Sequence, residues 1–215
     1  MGRLREETLR YLGYGKNPAT AGVSEIIDEC ERELYELPTV RYIYRIFDDL
    51  MLSEGGVTLG GTAFESRALA SHLRGCERAA ILCATLGSAA DMTRLRLERL
   101  DMSRAVVMDA AQSAYIEEVC DRACKEMLSR VSGEGFYLTS RFSPGYGDMP
   151  LSYQPVILSV MDAPKRIGLT CSETNMLTPQ KSVTAIIGIT KNAQKCGAAA
   201  CDICSARETC RFKKT

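Results

Sequence analysis

The stretch Ser140-Arg141-Phe142-Ser143-Pro144-Gly145-Tyr146-Gly147-Asp148 divides the chain into two kinds of sequence. Its Ser-Pro-Gly-Tyr core is turn chemistry, since proline presets φ and glycine accepts a positive one. Upstream, apolar residues recur at helical spacing. The longest such pattern runs from Ser103 to Val131, with Val106, Val107, Ala110, Ala114, Val119, Ala123 and Met127 along its apolar side and Asp101 or Ser103 as cap. Ser88 to Leu100 is a shorter, charged amphipathic helix. From Gly133 to residue 155, glycine, proline, serine and tyrosine become dense and mark loops. Beyond them Val156–Val160, Ile167–Thr170 and Val183–Ile189 read as strands.

The first hundred residues mix both periods. Residues 3–13 read as a helix ended by Gly13, and Ser24 caps a second helix whose stripe is Ile26, Ile27, Cys30 and Leu34 before Pro38 stops it. Thr39 to Leu52 alternates Val40, Tyr42, Tyr44 and Ile46, as a strand does. Val57-Thr58-Leu59, bracketed by glycine pairs, is a hairpin-like strand, and Phe64 to Leu73 is helical. Ala79 to Leu86 is a nearly continuous apolar run of the kind a strand buried on both faces carries. The expected fold is α+β: a single domain over residues 1–192, with a mainly antiparallel sheet packed by long helices, and a cysteine-rich tail over 193–215.

Composition narrows the function. A chain of 215 residues that is 46% hydrophobic can bury a substantial core. Lys+Arg and Asp+Glu each number 27, so no net field draws the protein to nucleic acid or to an anionic membrane. No run approaches the roughly 20 apolar residues that span a bilayer. The N-terminus has charge but no apolar signal core, so a cytoplasmic location is expected, and there ten cysteines should be thiols or metal ligands. One histidine, His72, reads as a solvated helix residue, and nothing resembles a Ser/His/Asp arrangement. Gly13-Tyr14-Gly15-Lys16 lacks the spacing of a phosphate loop. No catalytic residue is assigned.

Three segments accompany the Arg141 loop in order and spacing: Ala84-Thr85-Leu86-Gly87 before a helix containing Asp91; Asp109-Ala110-Ala111-Gln112-Ser113-Ala114-Tyr115-Ile116-Glu117; and Leu177-Thr178-Pro179-Gln180-Lys181-Ser182-Val183-Thr184. Together these four pieces resemble the activation (reactivation) domain of cobalamin-dependent methionine synthase in its free-standing form, over roughly residues 5–192. That resemblance implies a domain that binds S-adenosylmethionine and docks on a cobalamin-binding module, of methionine synthase or of another corrinoid protein. It would act as an accessory subunit in the reductive methylation of cob(II)alamin. An electron donor such as flavodoxin or ferredoxin is implied as well.

By resemblance, Arg141, Pro144, Gly145 and Tyr146 are the expected ligand contacts, and each suits the task. Arg141 carries a planar charged fork that fits a carboxylate. Pro144 stiffens the turn, Gly145 permits close backbone approach, and Tyr146 offers a π-face to adenine or to the sulfonium cation. Glu117 is a further expected contact from the long helix, with Asp109 as the competing acid. Two departures from the larger, fused form stand out. Gly147-Asp148 follows the tyrosine where a proline is common, and the later region lacks the fused form's paired tyrosines.

The tail holds Cys196, Cys201, Cys204 and Cys210 in a C-x4-C-x2-C-x5-C pattern. Four thiolates so close together can surround an iron–sulfur cluster or a zinc ion, and the spacing does not choose between them. An iron–sulfur cluster would suit a reaction that needs an electron. The remaining cysteines, Cys120 and Cys124 among them, fall in apolar patterns and read as small hydrophobes. The contrasting functional reading is a metal-binding electron-transfer protein, or a docking protein for a corrinoid protein, whose Arg141 loop binds no S-adenosylmethionine.

Overall fold

The computed structural model describes residues 2–15 and 17–193. The expected metal ligands Cys196, Cys201, Cys204 and Cys210 lie outside the described residues.

In chain order the elements are α1 (Gly2–Tyr11), α2 (Ala21–Tyr35), β1 (Arg41–Phe47), β2 (Met51–Leu52), β3 (Val57–Leu59), β4 (Thr62–Phe64), α3 (Arg67–His72), β5 (Arg78–Thr85), α4 (Ser88–Leu100), α5 (Met102–Val131), β6 (Tyr137–Leu138), α6 (Gln154–Val160), α7 (Ala163–Ile167), β7 (Thr170–Cys171), β8 (Leu177–Thr178) and β9 (Ser182–Thr190). The main sheet has the order β1-β5-β9-β6, antiparallel throughout. The expected α+β class, an antiparallel sheet packed by long helices, is what the chain adopts.

The apolar run of β5 is explained by its central place. Its side chains alternate, Ala80, Leu82 and Ala84 meeting the helices α1, α2, α4 and α5. Ala79, Ile81 and Cys83 meet a second layer made of the small sheet β2-β3-β4 with α3, α6 and α7. Both faces are therefore apolar, and each fully buried Leu or Ile contributes about 1.5–3 kcal/mol. The 30-residue α5 starts where Asp101 Oδ1 accepts from Arg104 N at 3.0 Å. It lies along the sheet with Val107, Met108, Ala111 and Val119 inward. Val106, expected on that apolar side, is instead 55% exposed, because the buried stripe runs through its neighbour Val107.

Other local expectations shift too. Thr20, four residues before Ser24, caps α2 by accepting from Val23 N. The strand expected over Thr39–Leu52 ends at Phe47, and β2 starts the second sheet. Phe64 belongs to β4, and α3 begins only after its cap Ser66. Val156–Val160 is helical, not extended, and Ile167 closes a second short helix. A proline near the start of each (Pro155, Pro164) favours a helical first turn, and Ile157, Leu158 and Met161 are buried at helical spacing. A short apolar run satisfies either period, so only packing decides.

Candidate functional site

The loop after β6 is built by local chemistry. Tyr146 N donates to Ser143 O at 3.0 Å, with Pro144 and Gly145 (φ +97°) between them, which is a type II turn. A second turn follows at once, closed by Met149 N to Tyr146 O at 3.0 Å. Three anchors fix this double turn to the scaffold. Phe142 exchanges both backbone hydrogen bonds with Ile186 of β9, at 2.9 and 2.7 Å, and its ring packs between His72 and Tyr146. His72 also places Nε2 2.9 Å from Ser140 O and 3.1 Å from Thr139 Oγ1. It is thus half-buried against the loop, not the solvated residue expected from its charged neighbours. At the far end, Asp148 accepts from Ser66 Oγ at 2.5 Å and from the Arg67 and Ala68 amides at 2.9 and 3.1 Å, closing the start of α3.

The Ser66 hydroxyl, then the Ala68 and Arg67 amides, hold the Asp148 carboxyl below its ordinary pKa. Such a group stabilises the fold above its unfolded pKa and loses that contribution as pH falls through its depressed folded value. The gap in urea midpoint between wild type and Asp148→Asn should therefore be flat around neutrality and narrow below about pH 4. A gap that widened on acidification would contradict this anchoring.

The loop delivers Arg141 to α5. Arg141 Nη2 donates to Glu117 Oε2 at 2.5 Å and Nη1 to Asp121 Oδ1 at 2.7 Å, so the fork straddles one turn of the helix. Burial by itself lowers the pKa of this guanidinium. The Glu117 carboxylate, then Cys120 and Asp121, outweigh it, and the net shift is upward. Cys124, one turn further, lies 4.0 Å from Nη1, and burial pushes its thiol up in pKa, disfavouring the thiolate.

These groups line an open cleft of about 620 Å³ between α1, α5, the double turn and the start of β9. Glu117, Arg141, Pro144 and Tyr146 all line it; Gly145 does not, and its part is to complete the turn. Asp109, the competing acid, is held 2.8 Å from Lys181 Nζ and is not among the lining residues. Asp121, Arg10, Tyr11, Gln154 and Thr184 also line the cleft and were missed in the sequence. Asp121 had a usable signal, its position four residues after Glu117 on the same helix face. Arg10 and Tyr11 had none, since only the packing of α1 on α5 brings them there.

Of the four segments singled out in the sequence, the long helix, the Arg141 loop and the Leu177–Thr184 stretch line the cleft, and the Ala84–Gly87 stretch with Asp91 is bonded to the last of these. Gln180 N donates to Asp91 Oδ2 at 3.0 Å, Leu86 N to Lys181 O at 2.9 Å, and Ser182 Oγ to Thr85 Oγ1 at 2.8 Å. The Thr178–Pro179 peptide bond in this region is cis. Thr184 Oγ1 reaches Gln154 Oε1 at 2.6 Å at the cleft wall. Among the described residues no group of three or more His, Cys, Asp or Glu could hold a metal ion, and no helix is long and apolar enough to cross a membrane.

Fold and cleft together define an α+β domain with a charged groove between a long helix and a Pro-Gly loop. No family model matches the chain, and neither does any curated protein sequence. A solved structure does share its architecture: the crystal structure of the MetH reactivation domain bound to AdoHcy, with a TM-score of 0.63 and 12% identity, over 91% of this chain and 76% of that one. At that identity the likeness establishes the fold.

Proposed function

We propose that the cleft binds S-adenosylmethionine and that the protein serves as a reactivation subunit for a cobalamin-dependent methionine synthase or a related corrinoid protein. The observation that carries this reading is the convergence of Glu117, Arg141, Pro144 and Tyr146 on one cleft of about 620 Å³, in a fold shared with a domain crystallised with AdoHcy. That volume lies within the usual 300–1,000 Å³ of small-molecule sites. Arg141 would take the ligand carboxylate, Glu117 its amino or ribose groups, and Tyr146 would lie near the adenine or the sulfonium. Pro144 and Gly145 hold the turn that presents them. The transferred methyl and its acceptor cobalt belong to ligand and partner, while this chain binds, orients and shields.

The test is anaerobic methylcobalamin formation on the partner's cobalamin-binding module, supplied with a reductant or with reduced flavodoxin or ferredoxin. Methylation that requires this protein and S-adenosylmethionine together is the expected result; the same rate without the protein would overturn the reading. One observation favours a docking protein without ligand: both terminal nitrogens of Arg141 already face acids. In that case methylation would be unaffected by changes at Arg141.

We propose further that residues 193–215 form a separate tail whose Cys196, Cys201, Cys204 and Cys210 hold a metal centre, on the spacing alone. Anaerobically purified protein should then carry roughly four irons, or about one zinc, per chain. Full metal content after joint replacement of Cys201 and Cys204 by serine would contradict that.

A further inference from the structure

Asp121 occupies a different place in the ion network from Glu117. Glu117 meets Arg141 through Oε2, whereas Asp121 is tied to two arginines at once. Its Oδ1 accepts from Arg141 Nη1 and its Oδ2 lies 2.7 Å from Arg3 Nη2 on α1. The chain Arg3–Asp121–Arg141–Glu117 therefore runs from the N-terminal helix to α5, on to the residue that leads into the double turn, and back to α5. Each terminal nitrogen of a guanidinium carries two hydrogens, so beside its acid Nη2 has a second to offer, while that of Nη1 meets only Cys124 Sγ, a weak acceptor 4.0 Å away.

We propose that Asp121 is the positioning residue of the Arg141 clamp: anchored by Arg3, it fixes the guanidinium so that the fork faces an incoming carboxylate. The inference rests on the S-adenosylmethionine reading above and adds to it how the clamp is oriented. A planar fork already held on one nitrogen gives up less rotational freedom when it takes a second bidentate partner. Asp121 also repels that carboxylate, and Arg3, 2.7 Å from its Oδ2, faces part of that charge. Among the described residues Glu117 pairs with no second arginine, and it is the partner that yields or shares.

The experiment compares two ligands, S-adenosylmethionine and its decarboxylated analogue, by calorimetric titration of the full chain. Asp121→Ala should weaken S-adenosylmethionine about tenfold, as expected for one lost oriented charge-assisted contact, and leave the decarboxylated ligand within about twofold. Asp121→Asn, which keeps an acceptor oxygen, should recover part of the loss. Arg3→Met, on the exposed side of the chain, should shift affinity in the same direction by less, and it tests the proposal should Asp121→Ala fold poorly. Equal weakening of both ligands, or unchanged S-adenosylmethionine affinity in every variant, would overturn the proposal. Failure of wild type to bind either ligand would overturn instead the reading on which it rests.

Discussion

Arg141→Ala is expected to lower S-adenosylmethionine affinity by about 10- to 100-fold, the range for loss of a charge-assisted hydrogen-bonding group. It should also destabilise the fold. Glu117 and Asp121 would then face each other across one helical turn with their common cation gone, although Arg3 still reaches Asp121. Breaking a buried ion pair costs about 3–5 kcal/mol, and an exposed one about 0–1. The side chains here are 21%, 33% and 27% exposed, so a loss of about 1–3 kcal/mol is expected. Two further variants separate the effects. Arg141→Lys keeps the charge but not the planar two-nitrogen fork, and should bind weakly. Combining Arg141→Ala with Glu117→Gln and Asp121→Asn should restore much of the stability but none of the affinity. Urea unfolding and calorimetry on the same samples read both. Unchanged affinity in Arg141→Ala would remove Arg141 from the site.

Gly147→Val should cost about 2–4 kcal/mol, from a left-handed backbone forced on a β-branched residue together with steric overlap. Gly147 has φ +55°, and a Cβ there would lie 2.5 Å from the Ala68 methyl. Because Asp148 binds the first amides of α3 next to Ala68, the strain falls on the joint between loop and scaffold. The loop should lift away, so ligand affinity should fall along with stability. Gly147→Ala keeps the backbone strain and the Cβ overlap without the β-branch, and Ala68→Gly in the same chain should recover the overlap's share alone, despite the roughly 1 kcal/mol that glycine costs in a helix. Strict additivity of the two substitutions would show that the contact does not matter.

The parts of this protein that were legible in its sequence are those where one interaction dominates. The apolar run of β5, buried on both faces, and the long stripe of α5 announced themselves through burial. The Ser-Pro-Gly-Tyr turn did so through backbone chemistry that needs no tertiary partner. What stayed hidden depends on long-range packing. Val156–Val160 became a helix because its burial follows the second core layer. His72 left solvent for a carbonyl 68 positions along the chain. Asp148, which looked like a departure at the end of the loop, proved to be its fastening to α3. In the cleft, Arg141, Pro144, Tyr146 and Glu117 were legible as a pattern, but the occupancy of the Arg141 fork by Glu117 and Asp121 was not. The spacing of acids on α5 shows that they share a face, and only the fold shows which cation they share.

Whether this cleft takes S-adenosylmethionine is decided by calorimetric titration of the wild-type chain with that ligand. One site per chain is expected, with the heat largely lost in Arg141→Ala. Absence of both heat and thermal stabilisation at millimolar ligand would contradict it.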